Sequence, residues 1–405
     1  MKKKVYFFIY ANFRANLYLS VSNEYEKIGY DTIFIVQDLK TFFFLKRKHK
    51  VVRLFKMLKL PNEKAFVNIN DSIDVLSGHL SEAIATKLVS SFKYYIKDLK
   101  LNTNSIVFAG NGYHLQDIVL KKLKSEYKYD LIFSELSNID KKTFFDTRGS
   151  NAASSFYNKL ENDYFELEQL SNLQKEELLK WKRNYKKSKI LSHVVKQANK
   201  KDKLENFIFR LFNVIEILLN IPSFSVLKVK SKSKNCIAKK NINEKLTDIE
   251  DIEDGFYFFP LQVTDDSQII INSDYDNIEA LKYFQKVAKN DGCKLVVKKH
   301  PAEENISFIN YINKLSNNNE IVLSDSNTFK LIDKSKKVCV INSTAGFEAI
   351  LLDKPVEFLG RSFYSYLIND SYLYYYLFDY LVDVDFFSGE LLTQNIISDL
   401  ESKIE

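Results

Sequence analysis

Cysteine is almost missing from this chain of 405 residues: there are three, Cys236, Cys293 and Cys339, far apart and odd in number. That excludes a disulfide-stapled fold and a cysteine-based metal centre, and it suits a reducing compartment. Glycine and proline are sparse too, at ten and five residues, which removes collagen-like, elastic and proline-rich architectures. Long hydrophobic runs are lacking. The opening MKKKVYFFIYANFR breaks at Asn12 and Arg14 without a small-residue cleavage site, so it reads as a buried strand rather than a leader. The segment FIFRLFNVIEILLNI (207–221) is too short to span a bilayer and carries Arg210, Asn213 and Glu216. Neither sign of charge dominates: 59 basic against 52 acidic residues leave +7, with lysine spread almost everywhere. A nucleic-acid binder concentrates its charge in a stripe, so no nucleic-acid partner is expected.

What is present is a folded chain, 45% apolar and 27% charged, rich in Phe and Tyr, long enough for two or three domains. In residues 1–156, VYFFIYA (5–11), TIFIVQ (32–37), SIVFAG (105–110) and YDLIFSE (129–135) read as buried strands, with helical periodicity at 14–28, 81–99 and 114–127. Continuous apolar strands alternating with helices predict a parallel sheet covered on both faces. Residues 157–250 change character, to a long charged helical pattern, the apolar 207–221 stretch and the lysine-rich VLKVKSKSKNCIAKKN, and read as a helical insert with a basic linker. A second alternation fills 251–380, with strands at GFYFFPLQ, KLVVKKHP, EIVLSD, KVCVINS and PVEFLG. Residues 381–405 read as a terminal helix, and the sequence does not decide whether it crosses back onto the first domain. The predicted fold class is α/β and GT-B-like: two Rossmann-like doubly wound domains facing a cleft, with a helical insert between them.

Open α/β sheets bind ligands beyond the carboxyl ends of their strands, which singles out four places. Lys298 and His300 end KLVVKKHP, where an imidazole can donate to a phosphate or move a proton. Asn342, Ser343 and Thr344 open the helix containing Glu348, where hydroxyls and free N–H groups either cap the helix or bind an anion. Gln262, Asp266 and Ser267 follow GFYFFPL and suit a sugar or ribose as well as a polar turn. Glu135 ends YDLIFSE, and Asp146 precedes Arg148, Gly149 and Asn151. A carboxylate pair is what glycosyl transfer requires, although an Asp in a DxRG sequence also forms turns. No GxxxxGK[ST] and no GxGxxG after the first strand are present.

The ordered set PLQVTDDSQI, KKHPAE and INSTAGFEAILLDKPVEFLG, preceded by FAGNGYH, FSEL and FFDTRGSNAASSF, resembles the capsule polysaccharide biosynthesis family of the KpsC/KpsS and LipA/LipB type. After Glu135 the chain reads LSN where that family has Gly and an aromatic. The resemblance implies a GT-B glycosyltransferase that moves the 2-keto sugar acid Kdo from CMP-Kdo to a lipid or glycolipid acceptor, with retention through an Asp nucleophile. It places that nucleophile at Asp146, assisted by Glu135. The donor phosphate falls to His300, Ser343 and Thr344, with Asn342, Lys298, Gln262, Asp266, Ser267 and Glu348 around it, and Asn111, His114, Arg148 and Asn151 are further cleft residues. No cofactor and no metal are expected, since CMP carries a single phosphate. The expected location is the cytoplasm, peripheral on the inner face of the bacterial inner membrane, with 207–240 touching an anionic surface and capsule assembly or export machinery as partners. Two alternatives stand: a transferase using CMP-sialic acid or a nucleotide-diphosphate sugar, and a non-catalytic assembly or export component that binds lipid-linked glycan.

Overall fold

The computed structural model describes residues 3–58, 66–162, 165–191, 212–223, 226–227, 245–393 and 395–404. Cys236 and most of the 207–240 stretch therefore lie outside the described residues. The chain divides into two compact units. The first runs to Lys159 and resumes at Phe378, and it takes in the described residues between 212 and 227; the second comprises Leu160–Ala198 and Cys236–Leu377. The stretch read as an insert is thus shared between the units.

The first unit is built on β1 (Lys4–Ile9), β2 (Asp31–Val36), β3 (Val52–Leu54), β4 (Ser105–Ala109), β5 (Asp130–Leu136) and β6 (Thr143–Asp146), in the order β3-β2-β1-β4-β5-β6. All neighbours are parallel except β6, which runs antiparallel to β5 and pairs Asp146 with Phe133. Alternation along β1 serves two cores. Tyr6 and Phe8 pack with Phe92 and Ile96, whereas Val5, Phe7 and Ile9 pack with Leu17, Tyr18 and Val21. The helix Glu82–Leu99 forms because Ala85, Leu88, Val89, Phe92, Ile96 and Leu99 recur at helical spacing and bury one face. Each large side chain so buried contributes about 1.5–3 kcal/mol. The terminal helix Ile396–Glu401 places Ile396 and Leu400 in the second of these cores, which ties the C-terminus to the first sheet.

The second unit holds β7 (Tyr257–Pro260), β8 (Leu295–Lys298), β9 (Val322–Leu323), β10 (Lys337–Val340) and β11 (Val356–Phe358), all parallel, in the order β11-β10-β7-β8-β9. The fold class expected from sequence is therefore present: mixed α/β with two Rossmann-like sheets. The charged stretch 156–190 is not one continuous helix. Ser155–Glu161 and Asn172–Leu191 are separate, with non-helical chain at 165–171. The second of these helices docks on its own unit by ion pairs, Lys182 to Asp370 at 3.1 Å, Lys186 to Asp333 at 3.4 Å and Lys189 to Glu348 at 3.1 Å.

Glycine matters most at position 346, inside the helix Thr344–Leu351. A Cβ there would come within 2.5 Å of the Phe358 ring and 2.9 Å of Val340, so only glycine lets this helix lie so close to β10 and β11. Gly346→Ala is expected to cost about 1–3 kcal/mol through overpacking, despite alanine's better helix propensity. Equilibrium urea unfolding checks this; a stabilised variant would show that the contact is looser than drawn.

Candidate functional site

In the second unit the chain turns back between β7 and β10. From β7 it proceeds outward through β8 and β9 on one side, and β10 and β11 lie on the other. That switch point is where an open α/β sheet leaves a crevice at its carboxyl edge. Three loops meet on this edge, and side chains tie them together. Gln262, after β7, donates from Nε2 to Asn342 Oδ1 at 3.0 Å and accepts the Asn342 N–H at 3.2 Å. Asn342, after β10, also donates to the Gln268 carbonyl at 2.7 Å. Glu303, in the loop after β8, accepts from the Thr264 N–H at 2.8 Å and its hydroxyl at 2.7 Å.

These bonds sort the expected donor residues. Gln262 and Asn342 are buried, and their amides already serve each other, so they build the edge rather than meet a ligand. Asp266 caps the Ser267–Asn272 helix through the Gln268 N–H at 2.8 Å and accepts from Gln262 at 3.2 Å. Lys298 donates to the Ser326 carbonyl at 2.7 Å, and burial pulls its ammonium below the ordinary lysine range. Glu348 is engaged with Lys189 and Tyr185. What stays open to solvent is a smaller set: half-buried His300, Ser343 and Ser267, and exposed Thr344. His300 accepts the Ala302 N–H on Nδ1 at 3.1 Å, so its neutral ring carries the proton on Nε2 as a donor. Ser343 caps the Thr344–Leu351 helix by accepting the Ala345 N–H at 3.2 Å, which leaves its O–H to donate. His300 and Ser343 are not on adjacent strands: β7 separates β8 from β10, a backbone spacing of roughly 10 Å.

The first unit has its own switch point, between β1 and β4. After β4 comes Gly110-Asn111-Gly112, whose N–H groups at Gly110 and Gly112 are both held by buried Asp117, at 3.0 and 2.9 Å. Asn111 accepts the Tyr113 N–H at 3.2 Å and, through its carbonyl, the Ser150 N–H at 3.0 Å. His114 pairs with Asp74 at 3.0 Å. Burial opposes both charges, but their mutual attraction outweighs it, holding His114 up at about 9 and Asp74 below its ordinary value. Glu135 ends β5 partly exposed, with Arg14 Nη2 at 3.9 Å.

Asp146 is different. It is 1% exposed, and its carboxylate accepts from the N–H groups of Arg148 (2.6 Å), Gly149 (3.1 Å) and Ser155 (2.9 Å), from the Ser155 hydroxyl, and from Tyr380 O–H at 2.6 Å. All of its lone-pair directions are occupied. The expectation that Asp146 attacks an anomeric carbon therefore meets a physical obstacle: in this arrangement it is the knot that closes the DTRG turn. Arg148 contributes to that turn through its backbone, its own residue being exposed, and Asn151 takes a positive φ of 48° at the following bend. The C-terminal segment secures the knot, since Lys403 lies over the Tyr380 ring at 4.2 Å and donates to the Tyr380 carbonyl at 2.6 Å. Among the described residues no group of three or more His, Cys, Asp or Glu side chains could hold a metal ion, and no helix is long and apolar enough to cross a membrane.

Several partners had no signal in the sequence. Tyr380 reaches Asp146 from 234 positions away, and Asp74 reaches His114 from 40. Glu303 lies inside KKHPAE, 39 positions from the Thr264 that it binds. Asp117 has a local signal, an acid seven residues after Gly110 in the first turn of the next helix.

The folds and their strand-end polar sets define an α/β protein of two Rossmann-like units. Residues 146–367, more than half of the chain, match the family model described as capsule polysaccharide biosynthesis protein. The chain belongs to that family, and its role lies in capsule polysaccharide biosynthesis. It is similar to protein FixF of Sinorhizobium fredii (strain NBRC 101917 / NGR234), 29% identical over 135 residues, or 32% of each chain. It is likewise similar to the capsule polysaccharide export protein KpsS of Escherichia coli, 29% identical over 127 residues, covering 29% of this chain and 32% of that one. The matches thus span about a third of the length of these curated relatives. Among solved structures, the β-Kdo 2,7 transferase KpsC of Thermosulfurimonas dismutans aligns at a TM-score of 0.38 and 16% identity, over 68% of this chain and 70% of that one. A UDP-GlcNAc 2-epimerase of Methanocaldococcus jannaschii aligns at 0.31 and 12%, over 89% and 84%.

Proposed function

We propose that this protein is a glycosyltransferase that moves a 2-keto sugar acid, Kdo, from a CMP donor to a lipid or glycolipid acceptor of capsule synthesis. The observation that carries the reading is the set left open at the second unit's switch point: an Nε2–H donor on His300, an O–H donor on Ser343 and the start of the Thr344–Leu351 helix. An imidazole N–H, a hydroxyl and a helix terminus suit one phosphate monoanion. With β7 between them, His300 and Ser343 meet neighbouring groups of one nucleotide rather than a single oxygen. In this reading the second unit holds the nucleotide and the first supplies the carboxylate.

Glu135 takes that role here, because it is partly exposed and weakly paired, whereas Asp146 is already engaged on both oxygens. The Glu135 carboxylate either traps the anomeric carbon, giving retention in two displacements, or takes the proton of the acceptor hydroxyl in a single one.

His300→Ala is expected to weaken CMP binding by about 1–3 kcal/mol, the range for a hydrogen bond to a charged group. Isothermal titration with CMP and with UDP checks it. Unchanged CMP affinity in a folded variant would remove His300 from the site, and tighter binding of UDP would favour a diphosphate donor.

A further inference from the structure

The helix at residues 212–218 is inside out. Its one acid, Glu216, is 3% exposed and accepts from the Leu39 N–H at 2.7 Å and the Ser223 hydroxyl at 2.6 Å. Three of its four aliphatic residues face outward instead, with Val214 55%, Ile217 41% and Leu218 76% exposed and Ile215 half-buried, followed by Leu219 at 42%. A helix that faces water shows the reverse pattern, charged residues outside and aliphatic ones in. Burying an acid while exposing four aliphatic side chains is unfavourable on both counts, so this face is made for something other than water.

The neighbouring helix Leu39–Arg47 extends the same surface. Its Phe43 is 47% exposed, and its ring stacks on Phe212 at 5.9 Å. At its C-terminal end Lys46, Arg47, Lys48 and His49 are all exposed, and LKTFFFLKRKHK (39–50) contains no acid, Lys50 pairing with Glu26 at 2.7 Å. Aliphatic and aromatic side chains beside a run of exposed cations complement one class of surface. The apolar groups enter the acyl boundary of a bilayer, and the cations meet anionic headgroups. A second copy of this chain would bring the same cations against one another, which argues against self-association on this face.

We infer that the 212–219 segment and the Leu39–Arg47 helix together seat the protein on an anionic lipid surface. The Leu39–Arg47 helix starts after the carboxyl end of β2 and runs back toward the start of the parallel β3, so the basic run continues this surface along the side of the sheet. The inference stands apart from the glycosyl-transfer reading, since it concerns neither the nucleotide nor the carboxylate.

The test uses the full chain with phosphatidylcholine vesicles, with and without phosphatidylglycerol, read by co-sedimentation. Binding is expected to be about tenfold or more stronger with phosphatidylglycerol and to weaken as salt rises. Leu218→Asp and Lys46→Glu should each lower it by about tenfold while leaving the melting temperature unchanged, because both residues are exposed. Leu218→Ser serves as a milder variant that should fall in between. Equal binding to both vesicles, or none to either, would overturn the inference. So would a concentration-dependent dimer that Leu218→Asp abolishes in a protein that ignores vesicles. CMP titration of the same samples keeps a failure here separate from a failure of the donor site.

Discussion

Replacing Asp146 with alanine is expected to destabilise the first unit by about 3–5 kcal/mol, a loss at the upper end for a single substitution. The carboxylate is buried at 1% exposure and is the common acceptor for the Arg148, Gly149 and Ser155 N–H groups and for the Ser155 and Tyr380 hydroxyls. Alanine strands these donors, and each buried donor left without an acceptor costs about 1–3 kcal/mol unless water reaches it. The damage should spread, because Tyr380 belongs to the segment that returns to the first sheet, where Thr143 and Val382 exchange backbone bonds at 2.9 and 3.0 Å. Asp146→Asn keeps one acceptor oxygen but turns the other into a donor facing donors, so a smaller loss is expected. Thermal unfolding read by circular dichroism measures both. An Asp146→Ala protein with the wild-type melting temperature and no transfer activity would instead return the attacking role to Asp146.

Glu135→Gln carries the opposite expectation. Its neighbours ask little of it, an Arg14 guanidinium at 3.9 Å and its own Leu136 N–H at 2.9 Å, so stability should hardly change. Transfer should fall about a thousandfold or more, as loss of a nucleophile or general base would bring. CMP affinity should stay as it was, since the nucleotide is assigned to the second unit. Stereochemistry then separates the two chemistries, retention for a covalent intermediate and inversion for a single displacement. A Glu135→Gln enzyme that turns over at the wild-type rate would remove Glu135 from the chemistry.

The strands and helices were legible because their signals are local. Continuous apolar runs such as VYFFIY and SIVFA can only be buried strands of a covered sheet, and they became β1 and β4 within one or two residues. The short β3 and β6, of three and four residues, were not legible. For the site, sequence located the loops but not the roles within them. Gln262, Asn342 and Asp266 look like ligand contacts because polar side chains at strand ends often are, yet here they satisfy one another. Whether a polar group at a strand end is free or engaged depends on partners 80 residues away for Gln262 and Asn342, and 39 for Thr264 and Glu303. Asp146 shows the same limit. A DxRG sequence is compatible with a nucleophile and with a turn, and the deciding contact, Tyr380, is 234 positions downstream.

The most direct measurement is incubation of the full chain with CMP-Kdo and a phospholipid acceptor, with products and released nucleotide read by mass spectrometry and UDP-sugars as the parallel donors. The expected result is an acceptor heavier by one Kdo residue, with CMP released in equal amount and no product from the UDP-sugars. Product from a UDP-sugar but not from CMP-Kdo, or no product and no CMP binding at all, would contradict it.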